Sequence, residues 1–89
     1  MGEKMELRYL KDVEGREVDF VVIKNKKPLF MLECKTGERS INPALAYYKS
    51  RLKIPKAYQV HLGTKDHGHE EKGVRLLPFR VFCQQEKLL

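Results

Sequence analysis

The sequence predicts an α/β (α+β) fold: a mixed β-sheet of about four strands in the order β-β-β-α-β, with flanking helices. Three observations predict it. Residues 17–23 (EVDFVVI) and 29–35 (LFMLECK) are rich in β-branched and aromatic residues and are separated by a short polar turn, the pattern of an antiparallel hairpin. A segment with apolar residues at helical spacing comes next. A further apolar run at 57–62 follows it, and a helix between two strands calls for a right-handed, parallel crossover.

The elements follow in order. Residues 1–6 form a polar lead-in, and residues 7–11 (LRYLK) a first strand. Asp12 to Arg16 is a turn, with Gly15 free to take a positive φ. Residues 17–23 form the second strand and residues 24–28 (KNKKP) the next turn. Residues 29–35 form the third strand, which the stretch 36–39 (TGER) breaks. Ser40 or Asn42 caps a helix with Pro43 in its first turn. The helix runs through Leu52, with Leu45, Tyr48 and Leu52 on one face, and Ile54-Pro55 ends it. Residues 57–62 (AYQVHL) alternate Tyr58, Val60 and Leu62 on one side of a fourth strand. Residues 63–73 are polar and Gly-rich, a flexible loop. Residues 74–77 form a short strand, and Pro78 opens a final helix over 79–89 with Phe79, Phe82 and Cys83 on one side.

Eighty-nine residues make one small domain, 1–89, with a core near the lower limit of unaided folding. The chain is 42% apolar and 34% charged, which is globular composition. A formal net charge of +6 favours a polyanionic partner such as nucleic acid. Cys34 and Cys83 stand outside any CxxC spacing and read as buried thiols of a reducing compartment, neither a disulfide nor a zinc site. No apolar run at the N-terminus suggests a signal peptide, and none reaches membrane-spanning length. The expectation is a cytoplasmic protein with no membrane partner.

Register decides which polar residues meet. With Lys24 facing Pro28 across a loop of Asn25, Lys26 and Lys27, Asp19 faces Glu33 and Glu17 faces Lys35. Val21 then meets Met31, and Ile23 meets Leu29. The opposite face pairs Val18 with Cys34, Phe20 with Leu32 and Val22 with Phe30, so it is wholly apolar and expected to pack on a helix. A one-residue slip mixes charge with core on both faces. Glu17, Asp19, Glu33 and Lys35 therefore gather at one end of one face. Two carboxylates that close repel unless a cation lies between them, and Mg²⁺ binds through one or two carboxylates plus waters. An ordinary cross-strand ion pair between Glu17 and Lys35 is the plainer alternative.

Asp19, then thirteen residues, then Glu33-Cys34-Lys35 resembles the D-X(n)-ExK signature of the PD-(D/E)XK nuclease superfamily. EGREVDFVV, LECKTGE and IPKAYQVHLG, with VRLLPFRVF at the end, also resemble the C-terminal domain of prokaryotic AAA+-type ATPases, over roughly residues 7–82. The resemblance implies a truncated restriction-endonuclease-like core and a fragment or C-terminal part of a longer ATPase-type protein. It implies a Mg²⁺- or Mn²⁺-dependent endonuclease acting on DNA phosphodiesters, or a non-catalytic nucleic-acid-binding or assembly domain on the same fold. Asp19 and Glu33 would be metal ligands, the Cys34 main-chain carbonyl a third, and Lys35 the catalytic lysine. Such nucleases usually carry a helix before the first strand. Too few residues precede Leu7 to form one, which leaves part of the sheet uncovered and favours a homodimer through that surface.

Other residues carry weaker signals. His61, His67 and His69 suggest a metal, but zinc sites need firmer spacing, so His67 and His69 read as a solvated loop. Tyr47 and Tyr48 with Lys49, Arg51, Lys53 and Lys56 could form a nucleic-acid surface, although Tyr48 is better placed to pack on the sheet. Gln59 lies within reach of the acidic cluster, with a structural role the simpler reading.

Overall fold

Two apolar strands joined by a tight turn seed the sheet. In the computed structural model, which describes residues 5–36, 40–66 and 68–86, β2 (Glu17–Lys24) pairs antiparallel with β3 (Lys27–Cys34). Phe20, Val21 and Val22 face Leu32, Met31 and Phe30, the register expected from the apolar pattern. The turn differs from the three-residue loop expected. Lys24 faces Lys27 rather than Pro28, and Asn25 and Lys26 alone turn the chain, at φ 51° and 67°. Positive φ at both central positions is the hairpin geometry that matches strand twist. The residue saved at the turn is returned as a register shift after Val22, so Ile23 faces Pro28 instead of Leu29.

β1 (Met5–Lys11) adds antiparallel to the outer side of β2 and starts earlier than the sequence suggests. Arg8 faces Val21, but Leu10 faces Val18, so two residues of β2, Asp19 and Phe20, stand against Tyr9 alone. This β-bulge resets the alternation of β2. Val18 and Val21, three apart, share one buried cluster. The expected grouping of Val18 with Phe20 and Val22 fails there. Val18 is fully buried on the opposite side, whereas Phe20 is half-exposed.

Beyond β3, the crossover helix α1 (Pro43–Arg51) leads to β4 (Lys56–His61), which is parallel to β3. Asn42 is the N-cap, its side chain accepting from Ala44 N–H at 3.0 Å, with Pro43 beginning the helix. Lys49 and Arg51 lie in the last turn, where cations favour the carbonyl end. Leu45 and Tyr48 are buried, but Leu52 has passed the helix end and is exposed, as is Leu62 beyond β4. β6 (Val74–Pro78) lies parallel to β4, and the two-residue β5 (Glu70–Glu71) pairs antiparallel with it. Part of the segment expected to be loop is therefore strand. The final helix, α2 (Phe79–Gln85), follows Pro78 directly.

The result is a mixed α+β fold whose sheet has six strands rather than four, in the order β1-β2-β3-β4-β6-β5. Each face has its own core. α1 covers Val18, Val21, Met31, Ala57 and Val74 through Ala44, Leu45 and Tyr48. α2 covers the other face, where Phe30, Tyr58 and Phe82 meet edge to face with ring centroids 5.0–5.8 Å apart. Such pairs add roughly 0.5–1.5 kcal/mol beyond their area burial. α2 is short and sits over β4 and β6. The α2 side of β1–β3 is left as an apolar hollow of about 230 Å³ lined by Leu7, Phe20, Val22, Phe30, Leu32 and Phe82. No helix among the described residues is long and apolar enough to cross a membrane.

Candidate functional site

Parallel strands β3, β4 and β6 end along one edge of the sheet, the edge where open α/β sheets place ligands. Glu33, Cys34 and Lys35 lie at the end of β3. The β2 bulge brings Asp19 beside them. Beyond Phe20 and Leu32 the β2–β3 ladder stops, and the two carboxylates take over its hydrogen bonds. Glu33 Oε1 accepts from Asp19 N–H at 3.0 Å, and Asp19 Oδ2 accepts from Cys34 N–H at 3.1 Å. Glu33 is 5% exposed, and its other oxygen, Oε2, lies 3.2 Å from Lys35 Nζ. Each acid thus ties down the neighbouring strand with one oxygen. The reciprocal clamp fixes one oxygen of each carboxylate.

Asp19, Glu33 and Lys35 line a cleft of about 570 Å³ together with Arg16, Asn42 and Tyr47. Glu17 borders this cleft, but its side chain does not join the cluster. Its carboxylate accepts from Tyr9 O–H at 2.8 Å and lies 3.4 Å from Lys11 Nζ, and both contacts hold it below the ordinary carboxylate range. The expected Glu17–Lys35 pairing is therefore replaced by Glu17 with β1 and Lys35 with Glu33. The cause is the bulge, which brings Val18 onto the face of Val21 and Met31 and so turns Glu17 to the other side of the sheet from Glu33.

The cleft wall is built by hydrogen bonds that sequence reasoning left vague. Gln59, adjacent to Glu33 on β4, is fully buried. Its Oε1 accepts from Asn42 N–H at 2.7 Å and its Nε2 donates to Ser40 C=O at 3.1 Å. Asn42 Nδ2 in turn donates to Glu17 C=O at 2.9 Å. Gln59 thus bolts the start of α1 to the sheet beside the acids. A polar residue at an inward position of an otherwise apolar strand was the available signal.

The aromatic pair splits as anticipated for Tyr48, which is buried and donates its O–H to Arg16 C=O at 3.1 Å. Tyr47 remains at the cleft, its ring covered by the Arg16 guanidinium at 4.0 Å, with Arg51 at 5.5 Å. Arg16 is itself held by Asp12 at 2.9 Å and Glu14 at 3.2 Å, so its charge is already partly matched. Asp12 also caps the turn through Glu14 and Arg16 N–H groups, and these bonds hold its carboxyl below its usual range.

Cys34 is exposed rather than buried, while Cys83 is buried and both are free. Partial desolvation, then the fields of Asp19 and Glu33, push the Cys34 thiol up, away from the thiolate. His61 is buried with Nδ1 accepting from Gly63 N–H at 3.0 Å, a structural bond. His69 lies 3.5 Å from Glu71, and His67 falls outside the described residues.

No group of three or more His, Cys, Asp or Glu side chains among the described residues is arranged to hold a metal ion. The donor set at Asp19 and Glu33 is two carboxylates whose second oxygens are not used by the clamp. That set fits a hard, water-rich divalent cation, which needs few protein ligands, and does not fit a zinc cage.

The chain belongs to the family described as Domain of unknown function (DUF4143), whose model matches residues 1–82. Comparison with curated proteins and with solved structures gives no match.

Proposed function

We propose that this member of the DUF4143 family is a metal-dependent, nuclease-like domain of a longer ATPase-type protein, acting on DNA phosphodiesters. The observation that carries the reading is the reciprocal Asp19/Glu33 clamp with Lys35 on the same carboxylate. Asp19 and Glu33 would hold Mg²⁺ or Mn²⁺, with the Cys34 carbonyl adjacent. When bound, the cation supplies Lewis-acid polarisation of a phosphoryl oxygen. Lys35 offers its ammonium to the charge that develops on the phosphoryl group, and it can orient an attacking water. The surplus of basic residues supports approach of a polyanion.

Calorimetric titration of Mn²⁺ and Mg²⁺ tests the site directly. Binding at millimolar or tighter affinity is expected for the wild type and is expected to be lost in Asp19→Asn and Glu33→Gln. Both replacements keep an oxygen for the clamp, so circular dichroism should be unchanged. A wild type that binds no better than these variants refutes the metal site. Cleavage of plasmid and single-stranded DNA with Mn²⁺ then tests the activity.

One observation favours a second reading, a non-catalytic assembly domain on the same fold. The apolar hollow at Leu7, Phe20 and Leu32 is left open by α2 and suits a protein neighbour.

A further inference from the structure

The two edges of the sheet are treated differently. β5 closes one edge with only two residues, a common protection against strand addition. The other edge, β1, is seven residues long, lacks proline, and turns one side of its main chain away from β2. Its exposed side chains are sorted by face. Leu7 lies in the apolar hollow on the α2 side, so Met5, Leu7 and Tyr9 share that face, and they are 56%, 63% and 58% exposed. Glu6 and Arg8 alternate onto the α1 side, where Glu6 faces Ile23 and Arg8 faces Val21 across the β1–β2 ladder. Among the described residues they pair with each other, at 2.6 Å, on open surface.

We propose that β1 is a homodimer edge, pairing antiparallel with β1 of a second copy about a two-fold axis at Leu7. The occupant is argued from self-complementarity. With the axis perpendicular to the sheet, residues facing each other keep the same face. Centred on Leu7, the register sets Leu7 against Leu7, Met5 against Tyr9, and Glu6 against Arg8 of the other copy. The first three side chains form one apolar strip continuous with the hollow at Phe20 and Val22. The last pair occurs twice, and opposite charges directly across a ladder stabilise it. Centring on Arg8 instead would set Arg8 against Arg8 and Glu6 against Leu10. Charge therefore selects the Leu7 register, and the two six-stranded sheets run on as one. An isologous contact of this kind closes on itself and does not propagate into fibres.

Sedimentation equilibrium across a concentration series tests the pairing, and charge exchange tests its register. The wild type is expected to dimerise. Glu6→Arg or Arg8→Glu should each weaken association by about tenfold, because the symmetry creates two like-charge pairs. Combining the two should restore it, since the charges then oppose again. In a Cys34→Ser background, Leu7→Cys should form an interchain disulfide. Its α-carbons would lie about 4.5–5.5 Å from their own copies, within disulfide range. Tyr9→Cys alone should not, being displaced from the axis. A wild type that stays monomeric at every concentration overturns the proposal. So does a dimer indifferent to both charge reversals, or one that cross-links at Tyr9→Cys and not at Leu7→Cys.

Discussion

Replacing Gln59 by leucine should unfasten the cleft wall. Leucine is close in volume, so the change opens little cavity, and the loss falls on hydrogen bonds, among them those to residues 40 and 42. Asn42 N–H loses its 2.7 Å acceptor and Ser40 C=O its 3.1 Å donor; Gln59 is fully buried, Asn42 half-buried and Ser40 exposed. A buried group left unpaired costs about 1–3 kcal/mol. Partial relaxation of the 40–42 segment toward water should hold the total to about 2–4 kcal/mol. For a domain of this size each kcal/mol moves Tm by about 4–8 °C, so the melting point should fall by on the order of 10–25 °C. Urea denaturation with amide exchange is the assay, and the Asn42 amide should lose its protection first. A loss below about 0.5 kcal/mol, the level of an inconsequential surface change, would refute the reasoning. So would an Asn42 amide as protected as in the wild type.

Two further outcomes follow from local geometry. Lys26→Gly should stabilise the hairpin. Lys26 sits at φ 67°, where a side chain costs about 1–2 kcal/mol, and the added freedom of glycine in the unfolded chain offsets about half of that. A rise of about 0.5–1 kcal/mol in urea stability is expected, and a fall would show that the turn is not of this type. Tyr58 should set an alkaline limit. Burial first, then its hydrogen bond to Glu86, raise its pKa to about 12, against an unfolded value near 10. Its contribution is complete below pH 10 and is lost as pH climbs toward 12. Tyr58→Phe should flatten stability across that window, and a tyrosinate signal from Tyr58 appearing near pH 10 would contradict the assignment.

Legibility in the sequence followed the strength of the apolar pattern. Phe20, Val21 and Val22 found their partners because any slip would have exposed Phe30 or buried charge. The same pattern could not disclose the bulge. An extra residue leaves composition and alternation locally plausible, and only the β1 register reveals that Asp19 and Phe20 share one opposite number. The turn was misread by one residue because lysine is a poor sign of positive φ, and the two-residue β5 was too short to leave a period. At the site, Asp19, Glu33 and Lys35 converge as their spacing suggests. The reciprocal main-chain bonds depend on where the ladder ends, which no spacing encodes. Gln59 and Asn42 were legible as a polar strand residue and a cap, but their mutual hydrogen bond arises only from the crossover.

The bulge in β2 also determines what a deletion there would cost the chain. On either side of it the strand obeys opposite parity: odd numbers face α1 from Val21 onward, and even numbers do so at Val18. Removing one residue between them would leave Val18 and Val21 two apart, the ordinary alternation of a strand, so both would still face α1 and Glu17 would stay outside. The core could therefore survive such a deletion while the bulge could not. What would be lost is the extra residue that delivers Asp19 to Glu33, so the odd spacing of this stretch serves the acidic cluster and not the packing.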